Sequence, residues 1–477
     1  MLLRQSALYM AANLAAAVIG FTSVMVLTRL VAPADYGVFV VAVGIGNVCA
    51  TLLFTWLRHA ILRFQSQPGA DVRLSALTGY GLTLLAYPVA LGVLLAVFQV
   101  PLEKAAAAVA FAGAIALFEL GQEVQRARQQ VRGYVLCAVL RSGLSLALCL
   151  GAVLLGGGGL SLVVAMAAGY AIAAVLQAPR IWAAPRVPAD RATLLRLARY
   201  GIPITASGGF VALTVTLDRF ALFGLLGPDA VGVYGATADF VRMCAILPAV
   251  SASLAIAPLA VSALDRNDGA DTARHLGDGL ELLVAVMLPA VAGLAIAAPQ
   301  VAGVILGPEY RQAAIGIIPI FACAIFAHTL SQQYVQLSFG LADKPHFYIV
   351  HTGLSFVVNL ALMWPLIRLF GLNGAALSFL LAELAGVGIG LWMSRVAFAL
   401  PLVPRRLARV VAAVGVMALV TLVVRTLVDR TDAVGLAAVL VAGATSYVLA
   451  ALAFDVVGAR RHLAKALVFR ARRAAGA

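Results

Sequence analysis

"LTRLVAPADYGVFV" occupies residues 27–40. An apolar run ends beside a guanidinium, Arg29, and Pro33 and Gly37 then turn the chain into a second apolar run. "FGLLGPDAVGVYGA", residues 223–236, writes the same elbow again. Pro33, Gly37 and Val38 recur as Pro228, Gly232 and Val233, and Phe39 as Tyr234, at a constant offset of 195, while Arg29 is kept in only one copy. Proline stops the first helix of each elbow and glycine lets the second begin close by. One such elbow is what any helical hairpin uses. Two, each joining the first two helices of a six-helix group, imply an internal duplication. Transporters are commonly built this way and handle substrate where the repeats meet.

Composition agrees. The 477 residues are 63% hydrophobic and 11% charged, with a mean hydropathy of +1.01. Soluble domains carry about 25% charged residues, so this chain cannot build a water-facing surface and reads as an all-α polytopic membrane protein. The first apolar stretch, residues 7–30, exceeds the roughly 7–15 residues of a cleaved signal's apolar region, and is read as an uncleaved helix. All five cysteines lie in apolar runs with no paired spacing, which suggests packing residues rather than a disulfide framework or a metal site.

With about 20 apolar residues per crossing, spans fall near 7–31, 36–57, 74–97, 105–124, 133–155, 160–182, 199–225, 231–256, 279–299, 313–338, 347–369, 372–394, 406–425 and 433–455, fourteen in all. This divides the chain into an N-lobe (1–182), a linker with an amphipathic helix (183–198) capped by Asp190, a C-lobe (199–395), two extra helices (396–458) and a basic tail (459–477). Of the 34 Lys and Arg, 25 fall in the even-numbered gaps and the two ends, and 5 in the odd-numbered gaps. The positive-inside rule then places both termini in the cytoplasm. The net charge of +14 thus reads as a topology signal lying against anionic membrane lipid, and no nucleic acid is expected.

The ordered motifs resemble the prokaryotic polysaccharide transporters. "LTRLVAPADYGVF" is similar to that family's signature, "LDRFALFGLLGPDAVGVYGATADF" (217–240) to its seventh and eighth helices, and "VILGPEYRQA" (304–313) and "NLALMWPLIRLFGLNGAALSFLLAE" (359–383) to later landmarks. The likeness runs to about residue 455. It implies two six-helix lobes around a central cavity, alternating access by rocker-switch, and two further helices packed outside. The implied cargo is an undecaprenyl-diphosphate-linked oligosaccharide, moved from the cytoplasmic to the outer leaflet of the bacterial inner membrane for O-antigen, exopolysaccharide or capsule synthesis. A polysaccharide polymerase and a chain-length regulator would be protein partners.

Ionisable groups in hydrocarbon are costly, so each is expected in an ion pair or facing a water-filled cavity. Arg29, Arg58, Arg141, Arg219 and Arg242 are the candidates for the anionic diphosphate, because the guanidinium fork suits phosphate oxygens. Arg29 could equally snorkel to headgroups. Arg58 sits below a stripe of Asn47, Thr51 and Thr55, and Arg141 has no carboxylate near it in sequence. Asp239 and Arg242 have i,i+3 spacing that allows an ion pair. Glu119 and Glu123 share a face with Arg126, as a solvated salt-bridge cluster would. Asn13, Asn47, Thr51, Gln332 and Gln336 are candidates for the polar cavity lining; His328, Gln332 and Gln336 form one stripe, and His351, Ser355 and Asn359 another.

No cofactor is expected, though H+ or Na+ could drive resetting. Lipid II flippases, on the same scaffold, hold a cation among helices seven, eleven and twelve. Carried over by position, Asp218, Asn359 and Ser378 would be its ligands, while Met363 replaces a second carboxylate and gives a poor ligand for a hard cation. Asp239 and Glu383 complete the candidate coupling residues. A multidrug and toxin extrusion-type exporter, a lipid II flippase and a membrane-embedded polymerase are the alternatives. Arginines within spans oppose cationic drugs, and the short odd-numbered gaps leave no room for a catalytic loop.

Overall fold

The computed structural model describes residues 2–67, 71–96, 100–182, 187–245, 269–342, 344 and 346–460. Among them there is no strand. The helices are α1 (Leu2–Leu30), α2 (Pro33–Phe64), α3 (Arg73–Leu84), α4 (Tyr87–Ala96), α5 (Leu102–Ala127), α6 (Val131–Leu154), α7 (Gly159–Trp182) and α8 (Arg191–Leu226). They continue with α9 (228–245), α10 (Gly269–Ile296), α11 (Ala298–Ile305), α12 (Pro308–Leu330), α13 (Leu337–Leu341), α14 (His346–Ser394), α15 (Pro404–Val428) and α16 (Ala433–Ala453). Among the described residues ten helices are long and apolar enough to cross a membrane, and Leu14–Leu30 adds a shorter apolar stretch. This is a multi-pass membrane protein. All fourteen expected spans begin on helix, although the latter part of 231–256 lies outside the described residues.

Two local features depart from the simple span pattern, each for a physical reason. The third span is two helices, because Pro88 has no N–H to give the preceding turn and the chain breaks after Leu84. Spans eleven and twelve keep their expected boundary: two helices, numbered together as α14, meet at Gly371, whose φ of 58° only glycine adopts without strain, and they pack on each other where Ser355 meets Gly386. The amphipathic helix expected within the linker is the first two turns of α8, which runs on without a stop. Gly201 falls in that run, and a Cβ there would lie 2.1 Å from the Trp56 carbonyl oxygen, so it is a packing glycine and not a terminator.

Asp190 caps α8 as its sequence position suggests, accepting the Thr193 amide at 2.8 Å. Hydrogen bonds from the Thr193 side chain and amide hold this exposed carboxyl below the ordinary carboxylate range. A lowered value means the cap's contribution is present above the unfolded carboxyl value, about 3.9, and is lost as pH falls through the folded one. Hydrogen-exchange protection of the first turn of α8 should therefore hold at neutral pH and collapse on acidification. The cap variant Asp190→Asn, which needs no charge, should keep its protection through the same titration.

The chain packs as two compact units, Met1–Ala236 and Thr237–Ala477. In the first, α5 is the axis, with 72% of its most apolar window buried, between α2 and α7. The two elbows pack on each other inside this unit. A Cβ on Gly37 would stand 1.9 Å from the Pro228 carbonyl oxygen, and a Cβ on Gly232 would stand 1.9 Å from that of Pro33. Each glycine therefore serves the other elbow. In the second unit α10 packs against α12 and α15. Arg406 on α15 pairs with Asp278 and, at 3.6 Å, Glu281 on α10. Glu281 also accepts the Val457 amide at 2.8 Å, which ties the last two helices to α10.

Candidate functional site

The polar interior of the first unit gathers on α2, α5, α6 and α7. Arg58 on α2 meets Glu119 at 2.6 Å and Glu123 at 3.5 Å, and Arg126 meets Glu123 at 3.1 Å. The carboxylates expected to form a solvated cluster with Arg126 are thus shared with Arg58. Arg141 on α6 donates to the Tyr170 hydroxyl at 3.0 Å, and its guanidinium lies over the rings of Tyr170, at 4.9 Å, and Phe118, at 5.9 Å. Tyr170 in turn is held edge-on by Phe111 and Phe118, each at 5.6 Å. Among the described residues Arg141 makes no ion pair, and the Nε atoms of Arg58 and Arg141 are buried without a hydrogen-bond partner. Glu119 feels the charge of both arginines. The cluster holds three guanidiniums, one of them the exposed Arg126, against two carboxylates, and Arg141 is the cation that no carboxylate bonds. An anion would complete the surroundings of Arg141.

Tyr170 escaped the sequence reading, as did a glutamine cluster beside it. Gln122 and Gln125 both donate to Gln177, at 3.4 and 3.3 Å, and Gln177 donates to the Phe118 carbonyl at 3.0 Å. Three amides set in apolar spans were the available signal. Of the expected lining residues, Asn47 is exposed, Thr51 half-buried and Thr55 buried, so the stripe runs from open space into the packed end near Arg58. The side chain of Asn13 lies outside the described residues. Arg29 is exposed and donates to the Met25 carbonyl at 3.2 Å.

Asp218 and Arg219 are both buried. Asp218 accepts the Tyr234 hydroxyl at 2.7 Å and the Arg219 amide at 2.8 Å. Tyr234 stands in the second elbow where Phe39 stands in the first. The single oxygen by which Tyr234 differs from Phe39 is the one that reaches the carboxylate.

In the second unit Asp239 and Arg242 form the expected pair at 3.3 Å, with the guanidinium 5.6 Å over Phe321. Glu383 is not alone on its helix face: His328 Nδ1 lies 3.0 Å from its Oε1. His351 Nε2 donates to the Gly386 carbonyl at 3.0 Å, while its Nδ1 is buried and unpaired. Asn359 is fully buried with both amide atoms unpaired, and Ser378 donates to Ala375 within its own helix. A π turn, Ser331–Val335, interrupts the straight-helix stripe of His328, Gln332 and Gln336. The wider turn adds a residue and rephases the rest of the helix, leaving Gln332 half-buried and Gln336 buried. Apolar side chains such as Leu280, Leu330, Leu391 and Val411 line a cavity of about 340 Å³ in this unit, with no charged group in its wall. Among the described residues no three His, Cys, Asp or Glu side chains gather as a metal site would require.

The family described as "Polysaccharide biosynthesis protein" matches residues 26–315. A curated relative, "Putative O-antigen transporter" of Shigella flexneri, is 24% identical over 187 residues, 39% of this chain and 44% of the relative. The chain thus spans under half the length of that relative. Among solved structures, "Lipid II flippase MurJ, inward closed conformation" superposes with a TM-score of 0.73 at 12% identity, covering 93% of this chain and 98% of that one. An inward-facing multidrug resistance MATE family transporter of the MOP superfamily superposes at 0.60 and 16% identity, covering 82% and 94%. At these identities the likeness is one of fold.

Proposed function

The chain belongs to the polysaccharide biosynthesis protein family, and from that membership we propose that it is a flippase for undecaprenyl-diphosphate-linked oligosaccharide units. It would carry them from the cytoplasmic to the outer leaflet of the bacterial inner membrane for a surface polysaccharide, with both of its own termini in the cytoplasm. The task is to take a hydrophilic diphosphate head across hydrocarbon while the prenyl tail stays in lipid. The observation that carries the reading is the positive charge of Arg141, a guanidinium held within a span by aromatic rings and not by a carboxylate. The same charge disfavours a cationic drug as cargo. Resetting by a cation belongs to this reading, and a surface polysaccharide polymerase would take the delivered unit.

A strain lacking the protein should lose surface polysaccharide and accumulate the lipid-linked unit on the cytoplasmic face. Arg141→Ala should reproduce that loss with membrane protein level unchanged. Hydrogen bonds to a charged group contribute about 1.5–3 kcal/mol, which corresponds to roughly 10–100-fold in transport. Arg141→Lys should not restore it, since a point charge lacks the fork. Normal export in either variant would remove Arg141 from the diphosphate contacts.

A further inference from the structure

We infer that His328 and Glu383 form a proton-binding site that takes up and releases one proton in each transport cycle. What the proton drives rests on the flippase reading; the site itself does not.

The Glu383 side chain keeps 6% of its exposure, and its hydrogen-bond partner is His328 Nδ1 at 3.0 Å. An unneutralised carboxylate in such surroundings is costly, so while the site is dry the pair holds one proton, shared between Oε1 and Nδ1. When water reaches the site it hydrates the carboxylate, whose charge then no longer has to be neutralised, and the proton leaves to water. Only an O–H or N–H bond is broken, and the carboxylate is left charged and hydrated. Drying the site again requires a proton to be taken back.

The surroundings suit this exchange. His328 keeps 27% of its side-chain exposure against 6% for Glu383, so the imidazole is the less enclosed half of the pair. Phe379 lies 6.0 Å from the His328 ring and stacks on Phe321 at 5.4 Å, an aromatic slab that keeps the carboxylate dry. Hard cations need several oxygen ligands, whereas here the carboxylate is faced by a nitrogen and rings. His328 also sits one turn before the π turn Ser331–Val335. Such turns are frequent at functional sites, and this one gives the helix a place to change register.

The neighbouring ionisable groups do not take over the role. His351, near enough to feel the charge of Glu383, already spends Nε2 on the Gly386 carbonyl and has no partner for a second proton on Nδ1. Arg242 reaches Phe321 but is paired with Asp239. On α10, Asp271 pairs with Arg274 and His275, and Asp278 and Glu281 pair with Arg406. The α11 and α13 segments carry no ionisable side chain. Asn359 lies on the α14 limb that places Ser355 against Gly386 and His351 against Gly390. That register sets its unpaired amide opposite Ala382, the neighbour of Glu383.

The test has two arms on the full-length protein. Infrared difference spectra of the purified protein, taken between about pH 5 and about pH 9, should contain a carboxyl–imidazole protonation change. Glu383→Gln and His328→Gln should each alter it, and the double variant should abolish it. The second arm measures surface polysaccharide in cells at matched membrane protein level, where Glu383→Gln should lower export at least about tenfold, a difference of about 1.4 kcal/mol. Glu383→Asp, which retains a titrating group, should recover part of it. Spectra unchanged in the double variant would overturn the site, whether or not the protein is a flippase. Spectra altered as expected with normal export in Glu383→Gln would overturn its place in the cycle. A wild-type spectrum that shifts when sodium chloride replaces choline chloride, through Glu383, would overturn the proton in favour of Na+. If deleting the protein leaves surface polysaccharide intact, the flippase reading falls while the spectroscopic arm still decides the site.

Discussion

Arg58→Ala should remove the protein from the membrane before any question of transport arises. The substitution leaves Glu119 on α5 with no ion pair among the described residues and Glu123 paired with Arg126 alone. Removing one partner of a buried ion pair costs about 3–5 kcal/mol because the other charge is left uncompensated. The low end applies here, since the Arg58 and Glu119 side chains keep 35% and 31% of their exposure. Glu119→Gln in the Arg58→Ala background should restore much of the lost protein, a non-additive pair as expected of residues in one network. Membrane immunoblots and thermal unfolding of the four combinations measure this. Export should stay low in the restored double variant if Arg58 also serves the diphosphate. A double variant no more abundant than Arg58→Ala would show that the ion pair is not what holds these helices together.

Gly37→Val should be as damaging by a different route. The Pro228 carbonyl oxygen occupies the place of the missing side chain, 1.9 Å from where a Cβ would be built. The obstacle is backbone, so no rotamer change relieves it. The elbows would have to separate by more than an ångström, undoing a close approach of the kind small residues allow between membrane helices. Overpacking costs about 1–3 kcal/mol where side chains can yield, and here they cannot. Export should be lost in Gly37→Val and in Gly232→Val alike, and Gly37→Ala should already show most of the defect. Gly224→Ala is the control, since nothing stands within 4 Å of a Cβ there. Wild-type export in Gly37→Val would mean that the elbows separate freely.

The range of each interaction decided how much of it was legible in the sequence. Apolar runs, the prolines that open α2, α9 and α12, and the Asp190 cap are local, so their positions could be read directly. The Asp239–Arg242 pair was legible for the same reason, since i,i+3 spacing needs only the helix. Arg58 and Glu119 are 61 residues apart, and His328 and Glu383 are 55 apart. No periodicity links them; the packing of separate helices does. The sequence therefore showed each charge in its span but not its partner. Gln177 and Tyr170 stayed hidden because a lone polar group in a span looks the same whether it meets a neighbour or a cavity. The π turn and the uninterrupted α8 were out of reach because both depend on tertiary contacts overriding a local stop.

The paired elbows also bear on ancestry. Gly37 lies against Pro228 while Gly232 lies against Pro33, so each copy offers the other the same patch it receives. Residue i meeting j while j meets i is the mark of an isologous interface, the kind a two-fold axis generates between identical subunits. A chain of one repeat would make this contact with a second copy of itself. The elbow thus reads as a dimer interface made permanent when the two subunits became one polypeptide. Fusion then released each copy from serving as both halves of the contact. One could acquire Arg29, and the other could exchange a phenylalanine for Tyr234 and secure Asp218, while the two glycines on the former axis stayed bound to each other.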